Sequence, residues 1–479
     1  MKMGMIAGLS LLSGAFAGCG GAPDPSADSA LSSNTSRLST RTLDKTAQFF
    51  VPPPQTAAVQ QVTKLIKSRD YANAAKLSAM ALTPQAVWFE GGTPKEVQRS
   101  VKQTMAAAAL EKRVPVLVSY NIPFRDCSQY SAGGALDTAA YDAWIDAFAA
   151  GIGKGKAVVI LEPDSIGIIP YYQPIFGSME WCKPVVTDAT GKSVPAPGAT
   201  PDERFAQLNY AIDSIQAKAP NALVYLDGTH SGWLGTQEAA LRLIKAGVQK
   251  VPGFFLNASN YQSTNELIMF GTWVSKTITA ASSAPSWAYN DPTNPTPLTF
   301  HFDWMPSQYA DLDGDSVYTP NYTAEWAAQV DSGLATYVNG AAVTTRFVID
   351  TSRNGQGPLD TAKYALAPYG QPSAVVSALA SGNWCNPPGA GLGLRPSANT
   401  GVSLLDAYVW IKTPGESDGS CDIAGGARAW DYGAYNPWNL STDAQSHFDP
   451  LWGMVDPAAG AWFPQQALQL VQQAKPALF

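Results

Sequence analysis

The chain is 479 residues long, and 46% of them are hydrophobic, including 14 Trp, enough for one large core or two to three ordinary ones. A formal net charge of −7 without any basic run speaks against a nucleic-acid partner. Charged residues reach only 14%, well below the roughly one quarter of an average chain, a look common among exported proteins.

The N-terminus points the same way. Lys2 precedes an apolar run from Met5 to Ala17, too short to span a bilayer but suited to a signal-peptide core. It ends in Phe16-Ala17-Gly18-Cys19, which resembles a bacterial lipobox. The expectation is a lipoprotein signal peptide over residues 1–18, with Cys19 as a lipidated first residue; an ordinary secretory signal is the alternative. Residues 19–45 are Ser- and Thr-rich without apolar periodicity and read as a flexible tether. An exported protein follows, lipid-anchored at the cell surface or outer membrane, or secreted, with the membrane as a partner through Cys19. Five cysteines is an odd number, and setting Cys19 aside leaves Cys127, Cys182, Cys385 and Cys421. Four cysteines permit three pairings, and local order suggests Cys127–Cys182 with Cys385–Cys421.

Beyond Pro52-Pro53-Pro54, a helical pattern runs from about Gln55 to Met80, and Ala86 to Phe89 is a short strand. Thr93 and Pro94 open a helix that reaches about Lys112. Val114 to Tyr120 is a near-continuous apolar strand, followed by a helix over about 138–151 and a strand over Ala157 to Pro163. A long irregular stretch to Asp202 precedes helix 203–217. Strand 222–227, helix 236–246, strand 253–258 and helix 265–280 come next. After a Pro-, Asp- and aromatic-rich segment, 282–320, the pattern gives helix 325–337, strand 346–350, strand 407–411 and a C-terminal helix over about 464–473. Repeated strand–helix units indicate one α/β domain with a parallel, barrel-like sheet over residues 46–479, without a separate carbohydrate-binding module. A monomer is expected.

Strand ends carry the chemistry in such folds. Pro163 cannot donate a backbone hydrogen bond, so the buried run Ala157 to Leu161 must stop there, and Asp164 sits just beyond. Asp164 is either the cap of the next turn or a catalyst. Neighbouring strand ends supply Arg125 and Asp126, Asp227, and Glu416 with Asp418. Several carboxylates in one cleft beside Trp faces, without metal ligands, is the equipment of glycoside hydrolysis. One carboxyl must stay protonated, and a nearby carboxylate raises its pKa by repulsion. With three His and no zinc spacing, no metal and no cofactor is expected. Asp311-Leu-Asp-Gly-Asp315 resembles a calcium loop but misses the calcium-hand spacing.

Six segments are similar to glycoside hydrolase family 6, the cellobiohydrolases and endoglucanases. They are Tyr120-Asn-Ile-Pro-Phe-Arg-Asp-Cys127, Leu161-Glu-Pro-Asp-Ser165, Tyr225-Leu-Asp-Gly-Thr-His-Ser-Gly-Trp233, Asn257-Ala-Ser-Asn-Tyr-Gln262, Trp384-Cys-Asn-Pro-Pro-Gly389 and Trp410-Ile-Lys-Thr-Pro-Gly-Glu-Ser-Asp-Gly419. The resemblance implies a distorted (β/α) barrel with fewer than eight strands and an active site at the C-terminal strand ends under long loops. It also implies inverting hydrolysis of cellulose or another β-1,4-glucan. Residue by residue, Asp164 resembles the family's general acid and Asp126 the aspartate that keeps it protonated and helps carry a proton from the water. Asp418 resembles the position proposed as base. Tyr120 and Arg125 resemble residues that shape the cleavage subsite, with Arg125 a partner for Asp126 or Asp418. Ser131 resembles the serine that holds the water. Trp88, Asp227, His230, Trp233, Asn260, Trp384, Lys412 and Glu416 resemble sugar-contacting positions, and the four cysteines resemble the family's two disulfides in the pairing above. Trp144, Trp273 and Trp410 lie within helix or strand patterns and are expected in the core. Long stretches at 171–202 and 282–320 favour a roofed tunnel and exo-acting release of cellobiose, with endo action as the alternative.

Overall fold

The computed structural model describes residues 42–283, 305–311 and 318–479. The expected signal peptide, Cys19, most of the tether, the middle of segment 282–320 and the calcium-like loop beyond Asp311 lie outside them.

Apolar runs that can be buried on both faces become seven parallel strands: β1 Val87–Phe89, β2 Val116–Ser119, β3 Ala157–Leu161, β4 Ala222–Asp227, β5 Gly253–Leu256, β6 Arg346–Asp350 and β7 Leu405–Val409. They pair in sequence order from β1 to β7 in one sheet. β3 pairs Val158 with Val116 on one side and with Leu223 on the other. Alternation along the strands sorts side chains into two layers. Val116, Val118, Val158, Ile160, Tyr225, Val348 and Val409 fill the inside of the curled sheet. Leu117, Val159, Leu161, Leu226 and Ile349 face outward against the helices. The sheet curls until its edges touch. Ala86 N–H donates to Trp410 O at 2.8 Å, and the Trp88 indole donates to Ile411 O at 2.7 Å. The barrel therefore closes at a seam between β1 and β7, with β4 in the middle of the sheet opposite that seam.

Helices follow their capping signals. Helix Pro94–Leu110 begins on a reciprocal box, in which Thr93 and Glu96 bond each other's backbone N–H. Helix Pro201–Lys218 begins the same way on Thr200 and Glu203. The single helix expected over 55–80 is two, Thr56–Lys67 and Tyr71–Ala81. Arg69 turns the chain with φ 64°, and the Asp70 side chain accepts from Asn73 N–H to start the second helix. Stretch 171–202 contains a short hairpin, Val185–Thr187 with Ser193–Pro195, and helix Ser373–Ser381 was not expected. Trp144, Trp273 and Trp410 are buried, as expected. Cys127–Cys182 and Cys385–Cys421 are the disulfides, each with Cα atoms 5.7 Å apart. Among the described residues, no helix is long and apolar enough to cross a membrane.

Candidate active site

Glu162 fixes the geometry from which Asp164 emerges. Its buried carboxylate accepts the N–H groups of Asn121 at 2.7 Å and Ile122 at 2.9 Å, and the Tyr141 hydroxyl at 3.2 Å. The end of β3 is thereby tied to the loop after β2. Glu162 and Asp164 both adopt positive φ, 51° and 64°, backbone that non-glycine residues hold only under constraint. Main-chain bonds close the following turn: Ser165 N–H donates to Glu162 O at 3.1 Å and Ile168 N–H to Asp164 O at 2.8 Å. The Asp164 carboxyl lines a cleft at the strand ends. Burial, then the charges of Asp227 and Asp126, push it well above the usual carboxylate range, against the pull of Lys412.

Asp227, at the end of β4, is buried and accepts from Thr229 N–H at 2.9 Å and Ile166 N–H at 3.3 Å. It is not among the residues that line the cleft. It stands behind the loop that carries Asp164, joined to it through Ile166 N–H. Burial raises its carboxyl to about 6. Asp126 also has a positive φ, 56°, and its Oδ2 accepts Ser131 N–H at 2.7 Å. Burial raises Asp126 to about 6, against that hydrogen bond and the Arg125 charge.

Asp418 is in the opposite state. Its Oδ2 accepts from Arg353 Nη1 at 2.9 Å, the Tyr261 hydroxyl at 3.0 Å and Asn386 N–H at 3.0 Å. Lys412 Nζ stands 3.4 Å from Oδ1. Although burial opposes it, Arg353 and Lys412 hold Asp418 below the usual carboxylate range. Arg353 and Tyr261 were not anticipated. The ion-pair partners of Asp418 are Arg353 and Lys412 rather than Arg125. Arg125 instead donates to the carbonyls of Ser131 and Glu90 and to that of Tyr120, with its guanidinium 4.6 Å from the Tyr120 ring centroid.

Trp88, Trp233 and Trp384 line the cleft, joined by the exposed Trp181, which no pattern had singled out. Trp233 lies over Gly167, where a Cβ would come within 2.4 Å of the ring. His230 sits against Trp233, with ring centroids 5.7 Å apart, and burial lowers it to about 4, so the imidazole is neutral. Tyr120, Arg125, Ser131, Asn260, Lys412 and Glu416 complete the expected set in the same cleft, a space of about 690 Å³. Burial raises the Glu416 carboxyl, and the Gln55 amide donates to it. Among the described residues, the cluster with metal-ligating types is Cys421, Asp449 and Asp456. There the sulfur is in a disulfide, Asp449 binds Arg428 and Asp456 Oδ2 accepts the Asn386 amide. The site thus holds Asp164 raised well above the usual carboxylate range, Asp418 held below it and Asp126 at about 6, between flat aromatic faces.

The family model for glycosyl hydrolases family 6 matches residues 44–474. Endoglucanase 1 of Streptomyces sp. (strain KSM-9) is 31% identical over 341 residues, covering 71% of this chain and 65% of that one. The chain thus spans about two thirds of that relative's length. Among solved structures, the endoglucanase Cel6 from Mycobacterium tuberculosis, in complex with methyl-cellobiosyl-4-deoxy-4-thio-beta-D-cellobioside, is 27% identical. It aligns with a TM-score of 0.53 over 89% of this chain and 97% of that one. The catalytic core of the cellobiohydrolase Cel6A from Chaetomium thermophilum shares the fold at 22% identity, with a TM-score of 0.53 over 90% and 98% of the two chains. With a curled parallel barrel and a family match over nearly the whole folded region, the chain belongs to glycosyl hydrolases family 6.

Proposed function

We propose that the protein hydrolyses β-1,4-glucan with inversion of configuration, Asp164 acting as general acid. The observation that carries this reading is two aspartates lining one cleft in opposite surroundings: burial and the charges of Asp227 and Asp126 push Asp164 well above the usual carboxylate range, whereas Arg353 at 2.9 Å and Lys412 at 3.4 Å hold Asp418 below it. Asp164 protonates the leaving glycosidic oxygen. Water attacks the opposite face of the sugar, which requires acid and base to stand apart, about 6.5–9.5 Å in inverting enzymes. Asp126 is the better proton acceptor of the two remaining aspartates. It rests near neutrality, whereas Asp418 is stabilised as an anion by Arg353 and Lys412 and is a weak base. Asp418 then serves as fixed negative charge beside the developing oxocarbenium ion. Ser131, whose N–H orients Asp126, holds the water; Tyr120, Arg125, Asn260, Lys412, Glu416 and the Trp faces bind the chain.

We further propose release of cellobiose from chain ends, supported by Trp181 of stretch 171–202 and by Ala459 and Gly460 of the long C-terminal segment, which stand at the cleft wall. Cleavage within chains is the second reading, favoured by the 31% identity to an endoglucanase. Export with a lipid anchor at Cys19 is supported by the lipobox-like sequence and by two disulfides, which persist in oxidising compartments. Asp164→Asn tests the assignment. It should abolish most release of soluble sugar from amorphous cellulose while leaving binding, and full activity would overturn it. A rapid viscosity loss in carboxymethyl-cellulose supports endo action, and slow loss with cellobiose release supports exo.

A further inference from the structure

Beside the cleft lies a second cavity of about 350 Å³, within the size of small-ligand pockets. The two spaces share Trp88, Glu90, Glu416 and Gly460, so one continues into the other. The position follows from the sheet. His230 and Trp233 follow β4, in the middle of the sheet, whereas Trp88 lies on β1 and Glu416 follows β7, at the seam. A chain crossing the barrel mouth from Trp233 to Trp88 would run next over the seam where β1 meets β7. The space there is walled by the segment Pro52–Gln55 and by Trp462.

The geometry points to this seam as an additional binding subsite for glucosyl units of the same glucan chain, beyond Trp88; the inference rests on the glucanase reading above. Trp462 is held as a platform. Its backbone pairs with Glu416 in an antiparallel bridge, Phe463 N–H donates to Gly415 O at 2.7 Å, and the indole N–H donates to Gln61 Oε1 at 2.7 Å. Its ring lies over Gly415, at φ 93°, where a Cβ would come within 2.6 Å. Gln55, Gln85, Glu90 and Glu416 line the same cavity with Ala58 and Met80; one N–H of the Gln55 amide donates to Glu416 and one of the Gln85 amide to Met80 O, leaving each a second N–H. Flat apolar faces ringed by uncharged donors and carboxylate acceptors match a pyranose, whose C–H faces are apolar and whose hydroxyls lie at its edge. Among the described residues, no Lys, Arg or His lines the cavity, which disfavours phosphorylated or otherwise anionic ligands.

The test is the ratio of kcat/KM for cellohexaose to that for cellotetraose, measured on the full chain. Trp462→Ala should lower this ratio about five- to ten-fold, the scale of one aromatic stacking contact. Trp462→Phe, which keeps a flat ring, should restore most of it. Gln85→Ala gives a second reading that leaves the Trp462 platform in place, and should lower the ratio less. An unchanged ratio in a Trp462→Ala protein that melts like the parent overturns the inference; if that variant does not fold, an unchanged ratio in Gln85→Ala does so. Absence of hydrolysis of both oligosaccharides by the parent overturns the glucanase reading itself, and the subsite with it.

Discussion

Arg353 is the residue on which the charge state of Asp418 most depends, and Arg353→Met isolates that dependence. The guanidinium is fully buried, donates to Asp418 at 2.9 Å and to the Ser259 carbonyl, and lies 4.4 Å from the Tyr261 ring centroid. Methionine keeps much of the volume and removes the charge. Breaking a buried ion pair by deleting one partner costs about 3–5 kcal/mol, because the other charge stays buried. Asp418 retains Lys412, the Tyr261 hydroxyl and Asn386 N–H, so the lower end applies, about 3 kcal/mol. For a folded region of this size the unfolding entropy is about 0.9 kcal/mol/K, so Tm should fall by about 3 °C at pH 7. The pH dependence carries the diagnosis. In the parent, Asp418 lies below its unfolded value of 3.8, so its contribution is present above that pH and is lost as the pH falls through the lower folded value. In the variant its pKa rises and the penalty disappears once the carboxyl protonates. Melting curves of both proteins from pH 7 to pH 3.5 should therefore converge on acidification. A difference in Tm that is constant across that range would refute the charge-pair argument and leave only a packing defect.

In the proposed mechanism Asp126 must be ionised to accept a proton and Asp164 must be protonated to give one. The pH profile of kcat/KM should therefore fall on the acid side with an apparent pKa near 6 and fall again at higher pH as Asp164 ionises. Asp126→Asn should remove the acid limb as well as most of the rate. Asp164→Asn should lower kcat on amorphous cellulose by about 10²–10⁴-fold while the KM for a cello-oligosaccharide changes little, since a general acid acts in the transition state. Gly167→Ala places a methyl group within 2.4 Å of the Trp233 ring and should raise KM more than it lowers kcat. Intrinsic Trp fluorescence titrated with cellotetraose would show the displaced ring, and an unaltered KM would mean that Trp233 does not hold substrate.

Strand and helix order, the parallel sheet and the placement of carboxylates at strand ends were all legible in the chain. Their signals are local: apolar runs of strand length, a proline that stops β3 at Pro163, and capping residues such as Thr93 and Thr200. Motif resemblance named many of the residues that line the cleft, most of them in short contiguous segments, but not Trp181. Partners across the fold were another matter. Arg353 and Tyr261 meet Asp418 from 65 and 157 residues away; no motif marks Arg353, and the segment that contains Tyr261 gives no sign of its partner. Arg125 looked like the partner of an aspartate, yet its guanidinium is taken up by backbone carbonyls. Asp227 sits in a motif beside His230 and Trp233 but faces inward. Composition and pattern determine which segments are buried and where strands stop, since burial and backbone hydrogen bonding act locally. Which charges meet, and so which aspartate stays protonated and which stays ionised, is decided only when the sheet curls and brings distant loops within hydrogen-bond reach.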